Sequence, residues 1–458
     1  MTQQLRDEEF GYRLATFASQ VRSRDLSSDV ALKTKIHIID TLAAIVSGAA
    51  LEAGLAGQRY AAQFGGAAQV SLLGVRQRTS LIEGALANGM AAHADESDDS
   101  HETSQTHPGC GVLPAALAMA EFREASGRDF LNAVFLGYET TIRFGEALAP
   151  ALSFARSSLS CHGYGPLFGA GYAAGSLMGF DAERFMILLN YLAQEASGLT
   201  TWRLDGAHTL KSYVFAGMPA SNGVKAATLV ESGFTGNGDV IDPSDRNLFE
   251  AISARTEPER LLHELETLPK ILETDIKKYS VGFPIAAPLA AVEEILALPE
   301  FDPHRIEAVR IEYHPDWYKV IGDKNRMPDL NLRHCMAATL VEGRLNFHAS
   351  HDVGKMQDQE ILAMGRRITF LDAVDGQDRF EARIEIDCGG RTFLASQGLH
   401  VLGRKENPMT TAQVHDKAIE LMTTVISEKA ARQAIEIVHD IEGEPNLVRL
   451  INVLRPLS

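Results

Sequence analysis

Between His93 and His107 the chain places three histidines (His93, His101, His107) and five carboxylates (Asp95, Glu96, Asp98, Asp99, Glu102) within fifteen positions. Imidazoles and carboxylates are the ligands that zinc, manganese and iron accept, so one chemistry open to this segment is metal binding. No two of the histidines stand four apart, the spacing of known metal-binding helices. A second chemistry is acid/base catalysis. The segment ends in His107-Pro108-Gly109, a turn that would present an imidazole at the mouth of a helix beginning near Val112. A third reading gives it no chemistry at all, as a solvated acidic loop whose Asp and Ser side chains cap helix ends. Residue types alone leave the three open.

Other catalytic signatures fail on inspection. The glycine-rich stretch Gly163-Tyr-Gly165-Pro-Leu-Phe168-Gly169 has Phe168 where the dinucleotide fingerprint needs glycine, and no strand evidently precedes it. Gly354-Lys355 is followed by Met356 rather than Ser or Thr, no serine stands in a GxSxG context, and His101-Glu102 has Gln105 where a zincin needs its second His. Phosphoryl transfer, hydride transfer and α/β-hydrolase chemistry therefore have no anchor.

The elements that must position the cluster are mostly helical up to about residue 270, in Ala-rich segments whose apolar residues recur at three and four. Asp181 should cap a helix reaching Ser197, with Phe185, Leu188, Leu189, Leu192 and Ala196 on its buried face. Further helices are expected around 30–47, 113–125, 129–147 and 220–232. After Phe301 the period changes. Val309, Ile311 and Tyr313 alternate with Arg310 and Glu312, Ile384, Ile386 and Cys388 alternate with charged residues, and 366–374 looks similar, as half-buried strands do. A helix is expected at 332–342, and helical periodicity returns at Thr411. The expected architecture is a mainly α domain built from 1–269 and 403–458, with a smaller α+β lid domain at 270–402.

The 458 residues carry 43 Lys and Arg against 60 Asp and Glu, a net charge of −17, with no basic stripe. Nucleic-acid binding is excluded on that ground, and any anionic ligand must be met by a few placed cations. The four cysteines (110, 161, 335 and 388) lie far apart with no CxxC pair, which suggests neither a zinc ribbon nor a disulfide framework. Reduced thiols, a polar N-terminus without an apolar signal core, and an apolar stretch at 38–57 interrupted by Asp40 and Glu52 all fit a soluble cytoplasmic protein with no membrane partner.

The segment from His93 to Asp99, with His107-Pro-Gly109 and Pro114-Ala-Ala-Leu-Ala118, resembles the H-x-L-D-F-D-D-T and HPG…PAALA signatures of the MmgE/PrpD family. Matches follow in order along the chain. They include the Asp40 to Gly48 stretch, Gly137-Tyr-Glu-Thr-Thr-Ile-Arg143, His162-Gly163, Lys211 with Ala216-Gly217, Gly233-Phe-Thr-Gly236 and Asn407-Pro-Met409. The family includes 2-methylcitrate dehydratase, cis-aconitate decarboxylase and iminodisuccinate epimerase. The resemblance implies a helical domain plus an α+β lid, usually as a homodimer, and proton chemistry beside a carboxylate of a small di- or tricarboxylate. It implies no organic cofactor, and the missing helical ligand spacing in the His93 to His107 cluster leads us to expect no metal.

Carried over position by position, the resemblance makes His107 and His162 the active-site histidines and Lys211 the active-site lysine. Glu96 stands at the first signature Asp, Ser100 at the signature Thr, and Lys277 at the lid lysine expected to close over a substrate carboxylate. Arg203, eight residues before Lys211, is a further candidate for substrate binding. Two lid histidines of the family read Gly282 and Ala286 here. That loss favours epimerisation of iminodisuccinate, with dehydration of a hydroxy-tricarboxylate or decarboxylation of cis-aconitate as the alternatives, and a non-catalytic carboxylate-binding homologue as the reading outside enzymes. Any of the reactions requires a base and a cation together at the carbon acid, so His107 and Lys211 are expected to converge.

Overall fold

The computed structural model describes residues 10–152, 157–236, 238–242, 247–323, 326–374 and 376–456. Contacts divide the chain into two compact units, a larger one of Met1–Ala94, Asp98–Ile276 and Thr410–Ser458, and a smaller one of Asp95–Ser97 and Lys277–Met409.

The larger unit is helical. Its frame includes helices Phe10–Val21, Ser28–Gly48, Leu81–Ala92, Pro108–Arg123, Gly127–Leu152, Cys161–Leu177, Ala182–Glu195, Met218–Glu231, Thr411–Met422 and Glu428–His439. Asp181 caps as its side chain predicts, accepting from the Arg184 amide at 2.9 Å, and Phe185, Leu188, Leu189 and Leu192 are buried. The helix stops at Glu195, short of the expected Ser197, because Ala196 turns to an extended conformation with ψ of 112°. The helix expected from Val112 begins four residues earlier, at Pro108, with His107 in the capping position. Pro tolerates the first helical position because its missing N–H would have no partner there.

The glycine-rich stretch after His162 lies inside the helix Cys161–Leu177 and serves packing. A Cβ at Gly169 would collide with Thr141 Oγ1 and the Gly137 carbonyl oxygen, and one at Gly165 would sit 2.8 Å from the Thr141 carbonyl. The helices Gly127–Leu152 and Cys161–Leu177 therefore approach backbone to backbone, which only glycine permits. The motif Gly137 to Arg143 does a second job. Arg143, fully buried, pairs with Glu139 and donates to the carbonyls of His263, Glu264 and Leu268, and Glu139 accepts from the Ile271 amide, so one helix ties down the 263–271 segment.

The smaller unit packs helices Ala286–Leu296 and Leu332–Glu342 with a four-stranded sheet. Its strand order is 368–372, 306–313, 382–388, 391–397, with the first pair parallel and the other two antiparallel. Alternation in Ile306–Tyr313 and Ala382–Cys388 matches their burial. The strand expected over 366–374 is shorter, Ile368–Asp372, because a helix runs to Gly365 just before it. Strand Arg391–Gln397 was not expected, since its Arg-Thr-Phe-Leu sequence does not alternate. It is formed by the Gly389-Gly390 turn, where φ values of 59° and 76° suit a two-residue hairpin. All four cysteines are buried free thiols. Among the described residues no single helix is long and apolar enough to cross a membrane, and the pair Ser28–Gly48 and Glu52–Phe64, which passes jointly, is bent by 78°.

The C-terminal helix Thr411–Met422 is fastened to Ser28–Gly48 by Lys417 Nζ, 2.6 Å from Asp40 Oδ1, with both side chains buried. Burial pushes the Asp40 carboxyl up to about 6 against the opposing pull of Lys417. Removing one partner of a buried pair strands the other charge, so Lys417→Met should cost ~3–5 kcal/mol in denaturant unfolding. The raised Asp40 value sets the sign of the pH effect. A buried carboxyl without its cation destabilises where it is ionised and is relieved as it protonates. The deficit should be smaller at about pH 5 than at about pH 8, and a deficit independent of pH would contradict this account.

Candidate active site

The His107 turn is built by two consecutive acids with different tasks. Asp98 and Asp99 are both fully buried. Asp99 accepts from the Gly109 amide at 2.9 Å through Oδ1, and its Oδ2 meets His37 Nδ1 at 2.8 Å and the Tyr138 hydroxyl at 2.5 Å. Burial and the neighbouring Asp99 charge push the Tyr138 hydroxyl well above the usual phenol range, so it remains a donor. Position 109 must be glycine here, because a Cβ would fall on Thr41 Oγ1 and within 2.6 Å of the Tyr138 hydroxyl. Asp98 faces the other way. Its Oδ2 lies 2.8 Å from His93 Nδ1 and 3.1 Å from His107 Nδ1. His107 keeps 14% of its side-chain surface open, whereas His93 and Asp98 keep none.

A single aromatic ring collects the remaining groups. Phe215 lies in a short π-helical turn, Tyr213–Gly217, between Thr209–Ser212 and the helix Met218–Glu231. π-Helical turns widen the backbone and recur at functional sites. The His93 ring stacks on Phe215 at 4.4 Å between centroids and the His162 ring at 4.2 Å, with His107 tilted at 5.5 Å. Trp202 meets the same ring edge-on at 4.8 Å. Lys211 Nζ lies 5.3 Å from the Phe215 centroid and 5.5 Å from that of Trp202. His162 occupies the first turn of Cys161–Leu177, its Nδ1 3.3 Å from Ser160 Oγ, which accepts from Trp202 Nε1 at 3.0 Å. The structure thus brings His107, His162 and Lys211 onto one ring, with His107 and His162 centroids 5.7 Å apart.

The other sequence-derived candidates have contacts of their own. Glu96 and Lys277 both belong to the smaller unit, where Lys277 Nζ donates to the Glu96 carbonyl at 2.9 Å and approaches its carboxylate at 3.5 Å. Ser100 pairs through its backbone with Asp275, N–H to O at 3.1 Å and 2.9 Å. Arg203 is exposed, and its guanidinium donates to the Thr200 carbonyl and hydroxyl at 3.1 Å and 3.3 Å. Residue types marked His93 and Asp98 only as members of the cluster and did not mark Phe215 or Trp202. The Asp98-Asp99 doublet was a visible signal, but an aromatic in a helical stretch reads as core.

Among the described residues two groups of side chains are close enough to share a cation, His93 with Asp98 and Cys110, and His101 with Glu146 and Glu273. Members of both groups have partners within the chain. In the first, the nitrogen and oxygen are already joined at 2.8 Å. In the second, the cation is the chain's own Lys270, 3.0 Å from Glu146 and 3.4 Å from Glu273. Glu273 is held down to about 2, first by His101, 3.9 Å away, and by Lys270 as a lesser cause.

Comparison with known proteins places this geometry in a family. A cis-aconitate decarboxylase-like protein, oryM, of Aspergillus oryzae is 27% identical over 241 residues, which is 50% of this chain and 48% of that protein. The chain thus spans about half the length of that relative. Cis-aconitate decarboxylase of Aspergillus terreus is 22% identical over 471 residues, 96% of this chain and 94% of the enzyme. The profile of the MmgE/PrpD N-terminal domain matches residues 12–261 and that of the C-terminal domain residues 279–443, so the chain belongs to the MmgE/PrpD family.

Proposed function

We propose that the protein is an enzyme that transfers a proton to or from a carbon beside a carboxylate on a small di- or tricarboxylate, without an organic cofactor. The observation that carries this reading is the gathering of His107, His162 and Lys211 around Phe215. A proton beside a carboxylate is weakly acidic, and it leaves at useful rates only if the developing enolate-like charge is neutralised where it forms. Lys211, as ammonium against two aromatic rings, supplies that charge in a region of low polarity where it acts strongly. His107 exchanges the proton, and His162 is placed as the second acid or base.

Within this chemistry the leading reading is a lyase, decarboxylating or dehydrating a tricarboxylate, and the decarboxylases among its relatives support it. In decarboxylation the C–C bond to the departing carboxylate breaks, carbon dioxide leaves, and the electron pair left on carbon takes the proton that imidazolium holds. Epimerisation of iminodisuccinate is the second reading, favoured by one observation. Gly282, where the family's histidine would stand, has the place of its Cβ filled by the Leu330 side chain.

The test is turnover of a panel of di- and tricarboxylates in deuterium oxide, following carbon dioxide, unsaturation, stereochemistry and deuterium at carbon. Either His107→Ala or Lys211→Ala should lower kcat ~100-fold or more, with the circular dichroism spectrum unchanged. Binding across the panel without any turnover or exchange would instead identify a carboxylate-binding homologue. Because no two histidines of the His93 to His107 cluster have the helical ligand spacing, full activity should survive exhaustive dialysis against a chelator. Stoichiometric zinc, iron or manganese whose removal abolishes turnover would overturn that expectation.

A further inference from the structure

The function proposed above needs the Lys211 ammonium to stay over Phe215 and Trp202, so the backbone that carries it must be held. Lys211 lies in the four-residue helical turn Thr209–Ser212. A helix leaves its first amides without an intrahelical partner, and in so short a one that describes most of them. The residue at the capping position gives no help. His208 has a φ of 57°, a costly conformation for a residue with a Cβ, and its side chain makes no capping hydrogen bond. The amides are met by Asp205 instead. Its Oδ2 accepts from the Leu210 amide at 2.5 Å and from the Lys211 amide at 3.3 Å, and its Oδ1 accepts from the Ala207 amide at 3.1 Å. The Asp205 amide in turn donates to the Trp202 carbonyl at 3.0 Å, so one residue joins the turn that bears Trp202 to the turn that bears Lys211. The far end is tied separately, by Ser212 Oγ to the His93 carbonyl at 3.2 Å, and the chain then enters the π-helical turn that carries Phe215.

We infer that Asp205 is the positioning residue of Lys211. The inference rests on the proton-transfer reading, in which Lys211 neutralises the charge that develops on the substrate. Asp205, itself partly exposed, acts through three backbone amides and so through where the ammonium stands. Stabilisation of a developing charge depends steeply on geometry, and a misplacement of about 1 Å can cost ~10²-fold in rate. That charge is larger in the transition state than in the bound substrate, so a displaced Lys211 lowers kcat more than it raises KM.

The experiment compares Asp205→Ala, which has no acceptor, with Asp205→Asn, whose carbonyl oxygen still serves the Leu210 and Lys211 amides. Lysine labelled with 13C at Cε reports on Lys211 directly, its signal assigned by loss in Lys211→Arg, because protons held over aromatic rings are shifted upfield. The Lys211 ε-protons should resonate upfield of the other lysines in the unmodified protein, move toward them in Asp205→Ala and largely stay in Asp205→Asn. The kcat should fall ~10- to 100-fold in Asp205→Ala with KM changed far less, and Asp205→Asn should recover most of it. A residue that only braced the fold would lower the melting temperature and leave both the Lys211 signal and kcat where they were. An unmoved Lys211 signal in Asp205→Ala, a kcat within about threefold of the original, or an Asp205→Asn no better than Asp205→Ala would overturn the inference. If Asp205→Ala does not fold, hydrogen exchange in the unmodified protein decides: slow exchange at the Leu210 and Lys211 amides supports the inference, and exchange as fast as at an exposed amide overturns it. If no substrate of the panel reacts, the proton-transfer reading fails while the Lys211 signal still reports on Asp205.

Discussion

The doublet Asp98-Asp99 places two carboxylates side by side with no access to water, and much of the larger unit's arrangement answers that demand. A buried ionised group is tolerated only when donors surround it. For Asp99 they come from three separate elements, His37 on Ser28–Gly48, Tyr138 on Gly127–Leu152 and the Gly109 amide at the start of Pro108–Arg123. Asp98 is met by His93 at 2.8 Å, with His107 Nδ1 3.1 Å from the same oxygen, at the two ends of the loop that contains it. One peptide unit therefore divides the work. The second acid locks three helices together at the turn, and the first faces the imidazole which that turn displays.

The same logic recurs where distant parts of the chain must meet. Asp40 binds Lys417, Glu139 and Arg143 hold the 263–271 segment, and Lys270 sits between Glu146 and Glu273. Burial raises Glu139 to about 7 even with Arg143 beside it, so such pairs give little net stability by themselves. Their effect is selective. A helix docked in another register would leave a charge stranded, at a penalty that apolar contacts alone do not impose. Close glycine contacts such as Gly137 to Gly169 then let the helices settle at short range.

Much of this was legible in the sequence, for physical reasons. Periodicity located the strands Ile306–Tyr313 and Ala382–Cys388 and the helix Leu332–Glu342 because burial on one face leaves a repeat along the chain. The turn His107-Pro-Gly109 could be singled out because each residue type there is restrictive. The individual partners could not be read. Five carboxylates crowd the loop, and only the path of the backbone decides that Asp98 faces imidazoles while Glu96 meets Lys277 in the smaller unit. Phe215 was invisible for the opposite reason. A buried aromatic among Val214 and Ala216 has the ordinary signature of core, and its three imidazole neighbours arrive from positions 93, 107 and 162.

That ring explains how a lysine can stand ready beside a cluster of histidines. An ammonium in an apolar wall would ordinarily lose its hydration without compensation. Over the faces of Phe215 and Trp202 it is met instead by the negative face of two π-systems, which attract the cation without occupying its N–H donors. The imidazoles benefit differently. Stacking at 4.2 Å and 4.4 Å fixes the planes of His162 and His93 while leaving their ring nitrogens to Ser160 and Asp98. A carboxylate side chain in the place of Phe215 would bring a negative charge against Lys211. An aliphatic one would give neither the cation–π attraction nor the stacking. The aromatic rings hold the cation in place beside the imidazoles.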